Sequence, residues 1–181
     1  MTDRELEKLK YPIGIMLKEK ADFTAGETER NIKTIEELPS KLRKAIDGLN
    51  DEQMDTPYRP GGWTSRILVH HLGDSHMHGY IRMKLALTED TPTIKPYFED
   101  RWAKLADYKE TPVAVSLALV ENLHLRWVIF LRSLKNSDLK RAYYHPEHNM
   151  KFTIEQAVYQ YSWHSEHHLA HITELRKRTG W

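Results

Sequence analysis

A chain of 181 residues without cysteine excludes disulfides, thiolate metal sites and cysteine nucleophiles, and it is long enough to bury a core without them. Its 27 Lys and Arg residues nearly balance 26 Asp and Glu residues, which argues against a dedicated nucleic-acid or membrane-surface protein. Uninterrupted apolar runs are far shorter than a membrane span, and the charged first ten residues lack the apolar core of a signal peptide. We therefore expect one cytoplasmic domain over residues 1–181.

Four segments have the apolar periodicity of helices, and none has the extended alternation of a sheet strand, so the predicted fold class is all-α. The first helix is predicted over residues 24–49, where Thr24–Glu27 has the spacing of a capping box. Pro39 lies inside this pattern and is expected to kink or break the helix. The second helix is predicted over residues 64–87, after a turn-rich stretch.

Two long connections separate the later helices. Residues 88–110 form the first, and loops of that length often pack over a functional site. The third helix is predicted over residues 111–134, with the Thr111 hydroxyl as its cap. After the irregular stretch 136–151, a second capping box opens a fourth helix over residues 153–178. Four long helices with two substantial crossovers describe a four-helix bundle.

The last helix carries the most informative pattern, because histidines occupy its inward-facing seam. The seam residues are spaced by three or four: Ile154, Ala157, Tyr161, His164, His168, Ile172 and Leu175. His164 and His168 stand where large apolar residues would be expected, and an i, i+4 pair can converge on one ion. The pair His167 and His171 has the same spacing on a less apolar face.

A third ligand is needed, because a histidine on a core face is more often a hydrogen-bonded structural residue than a metal ligand. Facing helices of a bundle commonly share such sites, and the second helix offers four histidines: His70, His71, His76 and His78. Apolar residues surround its first turns on nearly every side. Periodicity therefore does not decide between His70 and His71.

Three stretches are distinctive: GGWTSRILVHHLGDSHMHGYIRMKLALTEDTPTIKPY, YYHPEH and YSWHSEHHLAHITEL. With them the chain resembles the YfiT-type branch of the DinB-like superfamily, described as metal-dependent hydrolases related to bacillithiol-type thiol S-transferases. The resemblance implies a DinB-like four-helix bundle with long crossover loops. It also implies a ligand histidine followed by Leu on the second helix and a pair spaced by four on the last. These fall on His71, His164 and His168. The chain departs from the wider family at Leu169–Ala170–His171, where many members carry a polar Arg–Gly–Gln-like stretch.

A three-histidine site leaves coordination positions open, which is typical of catalytic metal sites. We therefore expect an enzyme with one divalent ion, zinc or else nickel, that acts as a hydrolase through activated water or as an S-transferase. The S-transferase would join a low-molecular-weight thiol to an electrophile. The alternative is a non-catalytic metal-binding or stress-response module.

Other roles are less defined by the sequence. Asp74, Glu166 and His78 are candidates for a general base because they lie near the histidines in sequence, but none is assigned that role. Three aromatic residues flank the expected pocket: Trp63, Tyr97 and Trp102. The expected partners are a small-molecule substrate and, from the resemblance, a second copy in a homodimer, with no nucleic acid and no membrane.

Overall fold

A computed structural model describes residues 2–181, and four long helices dominate it. Within that range the elements are α1 (Asp3–Lys10), α2 (Ala25–Ile46), α3 (Asp51–Met54), α4 (Ser65–Thr88), α5 (Glu99–Trp102), α6 (Ala106–Glu110), α7 (Val113–Arg132), α8 (Asn136–Leu139), β1 (Ala142–His145), β2 (Met150–Thr153) and α9 (Ile154–Thr179). The two strands form one antiparallel ribbon. The predicted helical-bundle class is confirmed, with the ribbon as an addition.

Threonine side chains begin three of the long helices. Thr24 accepts a hydrogen bond from the Glu27 backbone N–H at 3.2 Å, and the Glu27 carboxylate accepts one from the Thr24 N–H at 2.8 Å. Thr153 and Gln156 form the corresponding box at α9, and Thr64 caps α4. Each cap satisfies N–H groups that have no partner within the helix. Both predicted capping boxes are confirmed.

Several boundaries differ from the prediction. Thr111 does not cap α7, because Pro112 takes the cap position with an extended ψ of 134° and the helix begins at Val113. α2 ends at Ile46 rather than at Leu49. The predicted irregular stretches contain α5, α6, α8 and both strands, each only four or five residues long. Elements of that length are too short to establish a periodicity.

Pro39 does not end α2, which continues for seven residues beyond it. Proline has no N–H, so the carbonyl of Ile35 cannot receive the usual bond from position 39. His124 on α7 takes that place, with its Nδ1 2.6 Å from the Ile35 carbonyl oxygen. The carbonyl released by the proline therefore has a buried side-chain partner.

The four long helices are arranged so that two connections run diagonally across the bundle. α2 packs chiefly against α7 and α9, and α4 also packs chiefly against α7 and α9. The long connection from α4 to α7 therefore joins neighbours, whereas the connections that lead from α2 to α4 and from α7 to α9 cross between helices on opposite corners. The crossovers expected after the second and third long helices correspond to the connections from α4 to α7 and from α7 to α9, and only the second of these runs diagonally.

Two hydrophobic clusters fill opposite ends of the bundle. The first includes Ile32, Ile35, Met83, Trp127, Leu131, Phe152 and Tyr161. The second includes Leu38, Leu42, Leu68, Leu72, Val120, Leu169 and Ile172. Along α4, α7 and α9 the sequence positions between these clusters are occupied by histidines: His76, His124, His164 and His168. A polar layer thus lies between two apolar ends of the core.

α7 is apolar on more than its buried face. Val115 and Ile129 are 56% and 66% exposed, whereas Val120, His124 and Trp127 are buried. By length and composition alone α7 could cross a membrane. Core helices of soluble proteins meet the same criterion, so the finding is weak evidence, and α7 here packs against α2 and α4.

Gly79 allows α4 and α9 to approach at Tyr161. A Cβ at position 79 would lie within 2.8 Å of three atoms of the rigid Tyr161 ring. We expect Gly79→Ala to lower the free energy of unfolding by about 1–3 kcal/mol through overpacking, measured by urea denaturation. Gly26→Ala is the control: its Cβ would meet only the Arg30 side chain at 3.6 Å, and alanine should favour the helix. Equal stability changes in the two variants would contradict the close approach.

Candidate metal centre

Three histidine side chains from two helices meet in the layer between the clusters. His71 lies on α4, and His164 and His168 lie one turn apart on α9. The Nε2 atom of His164 is 3.2 Å from Nε2 of His71 and 3.1 Å from Nε2 of His168. The ligand atoms of all three lie within 4.8 Å of one another. The structure therefore brings together the three residues named from spacing and resemblance.

The spacing of these nitrogens suits a tetrahedral ion. Two nitrogens bound to zinc at about 2.0–2.1 Å in tetrahedral geometry are about 3.3 Å apart. Burial lowers the pKa of His71 to about 3, and it holds the pKa values of His164 and His168 well below their ordinary range. The imidazoles are thus neutral at pH 7, which is the form that binds metal. This group could hold one divalent ion.

A chain of buried imidazoles determines which nitrogen of His164 is free. The Ile35 carbonyl can only accept, so His124 Nδ1 donates to it and His124 Nε2 is an acceptor. His76 Nδ1 donates to that Nε2 at 2.8 Å, so His76 Nε2 is the acceptor for His164 Nδ1 at 3.0 Å. With its hydrogen on Nδ1, His164 keeps a lone pair on Nε2. The chain therefore presets the tautomer that a ligand at Nε2 requires.

A shorter chain sets His168 through the N-terminal segment. The Lys10 carbonyl accepts from His171 Nε2 at 3.1 Å, so His171 Nδ1 is an acceptor. His168 Nδ1 lies 3.4 Å from it and donates, which leaves the lone pair of His168 on Nε2. His171 thus supports a candidate ligand. His71 has no such support, because its buried Nδ1 lacks a hydrogen-bond partner among residues 2–181.

The neighbouring histidines of α4 and α9 are placed differently. His70 Nδ1 lies 2.7 Å from the Ser116 hydroxyl on α7, away from the three-histidine group. His167, His168 and His171 form a second group with ligand-like spacing. That group shares His168 with the first, and its His171 Nε2 is occupied by the Lys10 carbonyl. We therefore favour the group of His71, His164 and His168.

A cavity of about 340 Å³ adjoins the candidate centre. All three candidate ligands line it, together with Trp63, Ser75, Arg82, Pro96, Tyr97, Glu99, His145, Glu147, His148, Gln160, Tyr161, Trp163 and His167. Its walls come from α4 and the segment just before it, from α9, from the ribbon with its turn, and from residues 96–99 of the long connection. The predicted packing of the long loop over the site is therefore observed in part, through Pro96, Tyr97 and Glu99.

None of the three candidate bases lines this cavity. Asp74 accepts a hydrogen bond from the Tyr108 hydroxyl at 2.6 Å, and burial raises the pKa of its carboxyl group. Glu166 forms an ion pair with Lys41 at 2.9 Å. His78 Nδ1 lies 2.8 Å from the Asp74 carbonyl oxygen on its own helix. These contacts indicate structural roles for all three.

Two of the three aromatic residues expected near the pocket line it. The Trp63 ring lies 4.7 Å from that of His71 and 6.2 Å from that of His168, and it covers the candidate ligands on one side. Tyr97 stacks on His78 at 4.4 Å. Trp102 packs against Tyr97 but lines a different pocket.

Four residues of the site region were not assigned roles from the sequence: His124, Arg82, His145 and His148. For His124 a signal existed, since Leu117, Val120, His124, Trp127 and Leu131 repeat at alternating intervals of three and four. The sequence also contained a signal for Arg82, because this residue lies eleven positions after His71 and therefore on the same helix face. The ribbon histidines had no periodic signal, because β1 has only four residues.

The buried histidines predict a loss of stability in mild acid. Burial lowers the pKa of His71 to about 3 and the pKa values of His124 and His171 to about 4, whereas unfolded histidine titrates near 6.5. Between about pH 6.5 and 4 the unfolded chain therefore binds more protons, so the free energy of unfolding falls as pH falls. If unfolding takes up two protons, the slope is about 2.7 kcal/mol per pH unit.

Urea denaturation of chelator-treated protein between pH 7.5 and 5 measures this dependence. We expect a plateau above pH 7 and a steep decline below pH 6.5. A flat profile across this range would contradict the burial of neutral imidazoles.

Comparison with known proteins identifies relatives along nearly the whole chain. The model of the DinB superfamily matches residues 34–172. A protein of Bacillus subtilis (strain 168) named "Putative metal-dependent hydrolase YfiT" is 49% identical over 173 residues, which cover 96% of this chain and 97% of the relative. A "Putative metal-dependent hydrolase" of Bacillus cereus (strain 03BB102) is 51% identical over 176 residues, covering 97% and 100%.

A solved structure agrees with the fold. YfiT from Bacillus subtilis, described as "a probable metal-dependent hydrolase with an unusual four-helix bundle topology", superposes with a TM-score of 0.93 at 48% sequence identity. The match covers 96% of this chain and 99% of that one. The diagonal connections described above fit a topology of that kind. The chain therefore belongs to the DinB superfamily and, within it, to the YfiT-like proteins.

Proposed function

We propose that this protein is a metal-dependent enzyme that activates a small nucleophile at a zinc ion held by His71, His164 and His168. The observation that carries the proposal is the convergence of three neutral imidazoles at one wall of a cavity of about 340 Å³. Pockets of this size commonly accommodate small-molecule substrates. The names of the relatives support metal dependence and hydrolysis.

The chain contributes binding and orientation. When bound, a zinc ion supplies Lewis-acid activation of a coordinated nucleophile at neutral pH. His76 and His171 hold the hydrogens of His164 and His168 away from the ion, and Trp63 limits access of water to the ligands. The hydroxyls of Ser75, Tyr97 and Tyr161 are available to orient a substrate.

Water as the nucleophile makes the enzyme a hydrolase, and an external thiol makes it an S-transferase. One observation favours the thiol: the two carboxylates that line the cavity, Glu99 and Glu147, belong to exposed residues, and no carboxylate among residues 2–181 joins the three-histidine group. Activated water usually needs a base beside it during attack, whereas a thiol that binds as thiolate has already lost its proton. Hydrolysis is nevertheless what the names of the relatives support.

One experiment tests both reactions. Zinc-loaded protein is assayed against a panel of esters, amides and phosphoesters, and separately against monobromobimane with cysteine or another small thiol. We expect turnover in one panel, loss of it on chelation, and its recovery on return of zinc; nickel is tested in parallel. Zinc-loaded protein that is inactive in both panels would instead favour the non-catalytic metal-binding module.

The choice of residue is tested by a matched pair. His71→Gln should lose turnover, whereas His70→Gln should keep it, because His70 is equally buried on α4 but bonds Ser116 instead. Equal activity in the two variants would contradict the role of His71.

A further inference from the structure

The cavity beside the candidate metal centre contains a buried cation without an acidic partner. Arg82 is only 8% exposed. Among residues 2–181 it forms no ion pair within 4.0 Å, and its Nε has no hydrogen-bond partner. A buried charge normally costs several kcal/mol unless it is paired, so such side chains are rarely left alone. Arg82 at this position would be stabilised by an anion, which residues 2–181 do not supply.

Arg82 belongs to the same wall as the candidate ligands. His71, Ser75 and Arg82 lie on one face of α4, at intervals of four and seven residues, and all three line the cavity. Burial raises the pKa of the Tyr161 phenol, and the positive charge of the nearby Arg82 opposes that rise. A ligand in the cavity could therefore contact Arg82 and the metal centre together.

The ribbon adds a second unpartnered group to the same cavity. His145 is 5% exposed, and its Nδ1 has no hydrogen-bond partner among the described residues. It stacks on His148, with ring centroids 4.3 Å apart. Burial lowers the pKa of His145 to about 4, so at pH 7 it is neutral and can donate one N–H without adding charge.

The acidic residues of the cavity do not replace the missing anion. Glu99 and Glu147 line it, but both belong to exposed residues, and neither forms an ion pair with Arg82 in the part of the chain that the structure describes. They remain hydrated, whereas the guanidinium is buried. The buried part of the cavity therefore carries one positive charge and several hydrogen-bond donors.

We propose that Arg82, assisted by His145, binds an anionic group of the substrate, a carboxylate or a phosphate, while the reacting end of that substrate lies at the three-histidine centre. A planar guanidinium matches the two oxygens of such a group and gives a charge-assisted contact. This inference rests on the proposed function for the reaction, but anion binding itself can be measured without turnover.

The first test uses metal-free protein and inorganic phosphate or succinate as probes. Titration is followed by the 1H–15N signal of the Arg82 Nε–H and by calorimetry, with glycerol as a neutral comparison. We expect saturable binding of at least one anion, with a shift of the Arg82 signal, and none with glycerol. An Arg82 signal unaffected by either anion would overturn the proposal.

The second test compares two thiols on cobalt-loaded protein, where thiolate binding is read from the sulfur-to-cobalt absorption band. The thiols 3-mercaptopropionate and 3-mercapto-1-propanol have the same chain length but differ in charge. We expect the carboxylate thiol to bind about tenfold more tightly, the effect of one hydrogen bond to a charged group. Equal affinity of the two thiols for the unaltered protein would count against Arg82.

Variants separate the anchor from general electrostatics. Arg82→Gln should abolish the preference for the carboxylate thiol, whereas Arg82→Lys, which keeps the charge, should retain part of it. Lys84→Gln removes the same charge from an exposed position on α4 and should leave the preference intact. Equal loss in Arg82→Gln and Lys84→Gln would overturn the proposal, and the comparison in unaltered protein stands even if Arg82→Gln fails to fold.

The two proposals fail separately. Protein that prefers anions but turns over neither panel would overturn the enzymatic function and keep the anion site. Active protein that shows no preference for anions would support the enzymatic function and overturn the anion site.

Discussion

Replacing His71 with glutamine is expected to weaken zinc binding by more than 100-fold. The loss of a residue that only hydrogen-bonds a ligand typically costs a metal site about 10–100-fold in affinity. The expected effect is larger because His71 is the only candidate ligand from α4, and without it the pair on α9 remains. Zinc affinity is measured by competition with a chromophoric chelator, and zinc content by mass spectrometry after dialysis.

His70→Gln serves as the control for this prediction, because it changes an adjacent buried histidine outside the group. It should bind zinc with nearly unchanged affinity. The experiment also separates the two histidine groups: if His167, His168 and His171 hold the ion, His71→Gln keeps it and His167→Gln loses it. Retention of zinc by His71→Gln would therefore refute the centre described above.

Replacing His76 with leucine is expected to weaken zinc binding about 10–100-fold, although His76 is not a candidate ligand. Leucine leaves His164 Nδ1 without its acceptor, so the hydrogen of His164 can move to Nε2, where the ion would bind. The loss of tautomer control is visible in the 15N chemical shifts of His164 in metal-free protein. In unaltered protein these shifts should report hydrogen on Nδ1.

His76→Gln tests whether the effect comes from hydrogen bonding or from packing. The glutamine amide can donate to His124 through its nitrogen and accept from His164 through its oxygen, so it should restore part of the affinity. If leucine and glutamine lower the affinity equally and the His164 tautomer does not change, the imidazole chain has no role in positioning the ligand.

The capping residues and the seam of the last helix predicted much of the bundle because both depend on local sequence. Thr24, Thr153 and the spacing of His164 and His168 are examples. The choice of His71 over His70 could not be made in this way. Residues 68–73 are all buried, so α4 has no polar side in that region from which an inward direction could be read.

The remaining features depend on contacts between distant segments. Arg82 is distinctive because no acidic side chain in the described part of the chain, residues 2–181, forms an ion pair with it, and that cannot be read along the sequence. The ribbon brings His145 to the cavity, but strands of four residues do not establish a periodicity. The chains that support His164 and His168 end at the carbonyls of Ile35 and Lys10, and a backbone acceptor has no sequence signature.

Pro39 gives α2 a part in the metal centre, although α2 supplies none of the candidate ligands. An engineer seeking thermostability would choose this interior proline first for replacement, since alanine restores a helical hydrogen bond and better propensity. The new N–H would compete with His124 for the Ile35 carbonyl, the acceptor that fixes the order of hydrogens along His124, His76 and His164. A gain in the stability of α2 would then weaken control of His164, a candidate ligand on the neighbouring helix α9.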